Sequence, residues 1–172
     1  WGKFYNDGQV CIAPDYVLLP RGREDAFEAA YAAAVARLFP VTAGNPDYAA
    51  IVSERHHARL HTLLDEAQAR GARVVDVASP GGASQGARQM NPTLVFVAKP
   101  DLRLMHADIF APILPVVPYD GIDDAIAYIN LRPRPLALYW FGRDTAARER
   151  LLARTVSGGV TVNDTLMHIA HE

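Results

Sequence analysis

Apolar positions along the chain recur with two different periods. In four stretches they repeat at three- and four-residue spacing, the pattern of a helix that buries one stripe. The first runs from Ala26 to Leu38, with Phe27, Ala30, Tyr31, Ala34 and Leu38 on the stripe. The second, Arg55 to Arg70, aligns Leu60, Leu63, Leu64 and Ala67, and Gly71 follows as a stop. The third carries Ile122, Ala125, Ile126 and Ile129 behind an acidic opening of Asp120, Asp123 and Asp124, which complements the positive end of a helix dipole. The fourth spans Thr145 to Arg154, with Asp144 as its N-cap and Leu151 and Leu152 facing inward.

Between these stretches lie short apolar runs of strand length: Tyr16–Leu19, Val74–Val77, Thr93–Val97, Ile113–Val117, Leu136–Phe141 and Val160–Val162. Several show little alternation, as strands covered on both faces do. Strands that alternate with helices predict an α/β fold, a mainly parallel sheet flanked by helices. Ser79 to Gln89 is a glycine-rich polar loop without periodicity. No internal repeat or composition shift divides the chain, so residues 1–172 read as one domain.

Composition narrows the function classes. The 172 residues are 50% apolar and 21% charged, a globular balance. A net charge of −2 supplies no basic excess for nucleic acid. No apolar run approaches the roughly 20 residues of a membrane span, and Trp1 to Gln9 lacks the parts of a secretion signal. The expectation is a cytoplasmic protein whose partners include neither nucleic acid nor membrane. The single cysteine, Cys11, rules out a disulfide within the chain, argues against a Cys-based metal site, and fits a reducing compartment.

A lone cysteine is ordinarily a small buried hydrophobe. Its neighbours, Asn6-Asp7-Gly8-Gln9-Val10-Cys11-Ile12-Ala13-Pro14, change that reading. A thiol between a glycine-containing turn and a strand can stand at a cleft edge, with backbone N–H groups nearby to stabilise a thiolate and later an oxyanion. Such a sulfur suits attack on an aldehyde carbon.

The stretch Gly2 to Leu18 resembles the active-site signature of the aldehyde dehydrogenase family: an aromatic residue, Asn, then Gly-Gln, one residue and the catalytic Cys. The continuation Ala13-Pro14-Asp15-Tyr16-Val17-Leu18 is similar to the class 3 branch, above all to the bacterial coniferyl aldehyde dehydrogenases. Further blocks agree in order: Ala43-Gly44-Asn45-Pro46-Asp47-Tyr48, Arg134-Pro135-Leu136-Ala137-Leu138-Tyr139, and Ser157-Gly158-Gly159-Val160-Thr161-Val162-Asn163-Asp164. The resemblance implies an oxidoreductase that converts an aldehyde, aromatic and coniferaldehyde-like by branch, to the carboxylate with NAD or NADP. It makes Cys11 the nucleophile, its backbone N–H part of an oxyanion hole, and Asn6, Gly8 and Gln9 the residues that shape its turn.

The family's Glu-Ile-Phe-Gly-Pro block, whose Glu and Phe contact the nicotinamide half of the cofactor, corresponds to Asp108-Ile109-Phe110-Ala111-Pro112. The resemblance thus implies that Asp108 and Phe110 bind cofactor. Asp is shorter by one C–C bond, about 1.5 Å, and a hydrogen bond lost over that gap costs about 1 kcal/mol. Ala111 stands where the family has Gly, which matters if that backbone needs a positive φ. Asn163 matches a family Asn that helps hold the active-site loop, with a plain strand-end role equally open. His168 would line the substrate entrance.

The family's dinucleotide-binding segment, its general-base Glu and its oxyanion-hole Asn all lie upstream of the cysteine. No such segment is present here, and no G-x-G-x-x-G follows a strand. The expectation is a nucleophile-bearing domain without its cofactor half, inactive alone, from a parent that is a homodimer or higher homo-oligomer. Two other readings stay open: a non-catalytic remnant acting as a binding or assembly module, and a thiol acyl carrier or esterase using Cys11 alone.

Remaining candidates are read as structural. His56, His57 and His61 share one predicted helix with Glu54 close by, but lack a third ligand, so a helix face without metal is expected. His106 reads as structural. Trp1, Tyr16, Tyr139, Trp140 and Phe141 read as core packing for all but one of them.

Overall fold

The computed structural model describes residues 1–42, 44–77, 88–97 and 99–170. The glycine-rich loop at 79–89 therefore lies outside the described residues except for Arg88 and Gln89.

All six strands and four helices form close to the positions the periodicity assigns. In chain order they are β1 (Val17–Pro20), α1 (Glu24–Leu38), α2 (Glu54–Ala69), β2 (Arg73–Asp76), β3 (Thr93–Phe96), β4 (Ile113–Tyr119), α3 (Ile122–Asn130), β5 (Ala137–Trp140), α4 (Thr145–Arg154) and β6 (Gly159–Val162). Short 3-10 turns cover Tyr5–Gly8, Arg103–His106 and Met167–Ile169. The caps behave as their side chains dictate. The Ser53 hydroxyl accepts the His56 N–H at 3.2 Å at the start of α2, and the Asp144 carboxylate accepts the Ala147 N–H at 3.0 Å at the start of α4.

The main sheet runs β1-β4-β3-β2. β4 pairs in parallel with both β1 and β3, while β2 joins β3 antiparallel at the edge. A second, two-stranded sheet pairs β5 and β6 in parallel. The fold is α/β with a mixed, mainly parallel sheet flanked by helices. The inner strands β3 and β4 are buried along nearly their whole length, as their unbroken apolar runs require. β6 departs from that pattern: its residues alternate, leaving Val160 and Val162 each 39% exposed.

Alternate side chains of β3 and β4 feed opposite layers. On one face Val95 and Ile113 pack with Leu60, Leu63 and Ala67 of α2. On the other, Leu94, Leu114 and Val116 meet Phe27 and Tyr31 of α1. A further cluster joins Ile126 and Ile129 of α3 to Leu151 of α4 and Leu138 of β5. The α2 and α3 stripes fall as expected. The α1 stripe is rotated: Val35, 1% exposed, is its most buried residue, whereas Leu38 is 37% exposed. Phe27, Tyr31 and Val35 at four-residue spacing set the packed edge, because Phe4 and Val77 offer their cluster to that side. Two aromatics assigned to the core lie outside it, Trp1 at 55% and Phe141 at 63% exposure. Among the described residues no helix is long and apolar enough to cross a membrane.

Leu60 has no exposed surface and sits at the centre of the α2 layer. Leu60→Ala is expected to lower the unfolding free energy by about 3 kcal/mol, read as a fall in the urea midpoint at unchanged slope.

Candidate active site

Residues ahead of β1 fold as a series of tight turns. Backbone N–H groups of Phe4, Asp7, Gln9 and Ala13 donate to the carbonyls of Trp1, Phe4, Asn6 and Val10 at 2.8, 3.0, 3.0 and 2.9 Å. The chain reverses through three successive left-handed residues, Asn6 (φ 50°), Asp7 (φ 57°) and Gly8 (φ 76°). Asn and Asp tolerate that region better than other side chains. Gly8 is required for a second reason: a Cβ there would overlap the Ala111 carbonyl. The cysteine-bearing turn and the Asp108–Pro112 segment are thus in backbone contact across a hundred residues of chain.

The Gln9 side chain fastens the turn to the approach of α2. Its Nε2 donates to Ala50 O at 3.1 Å and its Oε1 accepts the Val52 N–H at 2.9 Å. Asn6 Nδ2 donates back to Gln9 O at 3.2 Å, closing the loop. Cys11 stands exposed at the end of this turn. Its N–H donates to no atom among the described residues. The Tyr139 hydroxyl on β5 donates to Ile12 O at 2.7 Å, pinning the residue after the cysteine. The His168 ring lies 5.9 Å from the Tyr139 ring, with its Nδ1 3.1 Å from Thr161 Oγ1. Asn163, left-handed at φ 58°, accepts the Gly142 N–H at 2.9 Å and donates its own N–H to Trp140 O at 2.7 Å, joining the ends of β5 and β6.

Phe110 is half-buried and left-handed, φ 52°, a conformation that costs a bulky residue about 1–2 kcal/mol. Ala111, fully buried in the α2 core, has no positive φ, so the strain falls one residue before the expected place. Arg59 Nη2 donates to Asp108 O and Ile109 O at 2.8 and 3.0 Å, and His56 Nε2 meets Phe110 O at 3.0 Å. The Asp108 side chain is exposed. It fits the ribose end of a dinucleotide as an acceptor without a hydrogen-bond partner among the described residues, and the half-buried Phe110 ring offers an apolar surface beside it.

Beneath the turn lies a buried polar pocket that sequence reasoning missed. Phe4, Tyr31, Phe39 and Tyr48 pack edge to face or tilted, with ring centroids 5.5–5.6 Å apart. Asp7, 2% exposed, turns into this cluster, and neither carboxylate oxygen makes a hydrogen bond of normal geometry among the described residues. The Tyr48 hydroxyl beside it gives its proton to Met90 O at 2.8 Å. Burial pushes the Asp7 carboxyl up to about 7, against a smaller opposing pull from Tyr48 and Lys3. Lys3, also buried, is brought down to about 8 by desolvation. A sequence signal existed, an Asp and a Lys flanking an aromatic in a glycine turn, but nothing in it told buried from solvated.

Other expectations resolve simply. His57 and His61 face each other, Nε2 to Nε2 at 3.3 Å, and among the described residues no group of three or more His, Cys, Asp or Glu side chains could hold a metal ion. His56 faces the Phe110 backbone instead, and His106 is exposed. A cavity of about 260 Å³ bounded by Asn130, Arg132 and Arg134 adjoins the end of α3, and Cys11 does not line it.

The family model described as the aldehyde dehydrogenase family matches residues 1–172. The chain belongs to the aldehyde dehydrogenase family. Members are NAD(P)-dependent oxidoreductases acting on aldehydes. A Caulobacter vibrioides protein named "Probable coniferyl aldehyde dehydrogenase" is 48% identical over 99% of this chain and 36% of its own length. The coniferyl aldehyde dehydrogenase of a Pseudomonas species is 43% identical over 97% of this chain and 35% of its own. A solved structure of Staphylococcus aureus AldH in a substrate-bound state superposes with a TM-score of 0.83 at 38% identity, covering 99% of this chain and 36% of that one. The chain spans about a third of the length of these relatives.

Asp7 makes stability depend on pH with a definite sign. Its folded-state value of about 7 lies above the unfolded value near 4, so the folded state holds the extra proton. Stability is therefore full below about pH 4 and falls as pH rises through 7, by about 4 kcal/mol at most. In Asp7→Asn this fall between pH 4.5 and 7.5 should disappear, leaving the variant the more stable at pH 8. Parallel urea-midpoint profiles for the two proteins would contradict the assignment.

Proposed function

We propose that this chain is the nucleophile-bearing domain of an NAD(P)-dependent aldehyde dehydrogenase acting on an aromatic, coniferaldehyde-like aldehyde. The observation that carries the reading is the contact of Gly8 with Ala111. It sets an exposed cysteine beside the segment bearing Asp108 and Phe110. The similarity to coniferyl aldehyde dehydrogenases supports the substrate class.

The Cys11 thiolate adds to the aldehyde carbon, and the carbonyl π pair moves onto oxygen, where the Cys11 N–H receives it. Bound NAD(P)⁺ supplies the hydride acceptor for that carbon. With that acceptor bound, the oxygen lone pair would restore the carbonyl and Cys11 would be left carrying the thioester. Water then adds, the Cys11 sulfur departs as thiolate, and the carboxylate is released with two protons for the whole cycle. Tyr139 and Gln9 hold the sulfur-bearing loop from opposite sides throughout. Asp108 would accept a hydrogen bond from the nicotinamide ribose and Phe110 would pack along the nicotinamide, while His168 and Asn163 shape the wall behind Tyr139. Cys11 stands exposed, so shielding its thioester from bulk water would take surfaces beyond its own turn. A free thiol nucleophile suits the reducing cytoplasm.

In a protein of the relatives' length carrying this segment, Cys11→Ala should lower NAD(P)H formation from coniferaldehyde by about 10,000-fold or more, with folding unchanged. Residual turnover within tenfold of the parent would remove Cys11 from the mechanism. Asp108→Glu, restoring the longer acid, should lower the dinucleotide KM about fivefold, the effect of regaining about 1 kcal/mol of hydrogen bonding.

A further inference from the structure

The N-terminal half of α2 faces the Asp108–Phe110 backbone with two side chains, His56 and Arg59, of which only His56 stood out in the sequence, as part of a helix face. The spacing is helical: His56 and Arg59 are three apart and project from the same side. Arg59 Nη2 is shared between Asp108 O and Ile109 O at 2.8 and 3.0 Å, and Arg59 Nε donates to His56 Nδ1 at 3.3 Å. His56 Nε2 then reaches Phe110 O at 3.0 Å. Three consecutive carbonyls are bound this way.

The hydrogen-bond chemistry admits one arrangement of protons. A carbonyl oxygen only accepts, so His56 Nε2 must carry hydrogen. The guanidinium only donates, so His56 Nδ1 must present its lone pair. Both bonds exist together only in the neutral imidazole protonated on Nε2. The carbonyls so held flank the one segment residue in the left-handed region, Phe110 at φ 52°. A bulky side chain keeps such a backbone only where its surroundings over-determine it. Ile109 on the same segment is anchored in the α2 core, which leaves the Phe110 ring as the part whose direction the clamp decides.

We propose that His56 and Arg59 are positioning residues that hold Phe110 in its left-handed conformation toward a bound nicotinamide, with His56 fixed as the Nε2-protonated neutral tautomer. The inference rests on the cofactor role proposed for this segment.

Two measurements test it. In imidazole ¹⁵N spectra of the 172-residue chain at pH 8, the His56 resonances, assigned by their loss in His56→Gln, should show a protonated Nε2 and a bare Nδ1. A proton on Nδ1 would overturn the clamp. In a protein of the relatives' length, His56→Ala should raise the dinucleotide KM about tenfold, the loss of about one hydrogen bond. The aldehyde KM and the alkylation rate of Cys11 should stay within twofold. His56→Gln, whose amide can still donate to Phe110 O, should restore the KM. Equal changes in every parameter, or no change in the dinucleotide KM, would overturn the positioning role. Turnover that survives Cys11→Ala would instead sink the function proposed for the chain and leave the tautomer result standing.

Discussion

The site depends on one backbone contact. Gly8 lies against the Ala111 carbonyl, and no other residue could bring the cysteine turn so close to the Asp108–Pro112 segment. The two segments approach because β4 leaves Pro112 directly and lies beside β1, which follows the cysteine turn. Parallel pairing sets the starts of β1 and β4 at the same edge of the sheet, so the loops feeding them are neighbours. The sheet register thus puts the cysteine turn and the Asp108–Pro112 segment together, and the absence of a side chain at Gly8 lets them touch.

α2 acts as the common support. Its approach takes the Gln9 clamp through Ala50 and Val52, and its first turns take the Asp108–Phe110 carbonyls through His56 and Arg59. Its opposite stripe is locked into the core by Leu60, Leu63 and Ala67. Side chains rooted in a packed helix lose little further entropy when they bind a loop, which is why such a helix can fix two loops more sharply than either could fix itself. On the far side Tyr139 holds Ile12 from β5, so the cysteine loop is restrained from two separate layers.

Much of the fold was legible because its signals are local. Apolar spacing located every helix and strand, and Ala-free caps such as Asp144 marked boundaries. The antiparallel direction of β2 was not legible, since strand direction depends on a connection through residues 77–92 rather than on the strand's own alternation. The α1 stripe was misplaced for a related reason: Ala34 and Val35 read alike until Phe4 and Val77 supply a partner on one side. At the site, the turn residues Asn6, Gly8 and Gln9 were visible as a motif. His56, Arg59 and Tyr139 were not, because each bonds a backbone carbonyl 49 to 127 residues away and a carbonyl leaves no trace in side-chain identity.

Strain and buried charge concentrate where these loops meet. Asn6, Asp7, Phe110, Asn163 and Leu166 are left-handed without being glycine, and each lies on a segment that borders the cysteine or supports its neighbours. A stability-driven choice would place Asn or Gly at several of them and an apolar residue in place of Asp7. Asp7 instead sits among tyrosine rings under the turn, most comfortable when neutral. Lys3, buried nearby, is drawn down to about 8 by the same desolvation, so burial brings the two ionisable groups under the turn towards each other's range. What surrounds Cys11 in the structure is loop geometry: Gln9 and Tyr139 fix the residues on either side of it, and its own N–H bonds to no atom among the described residues.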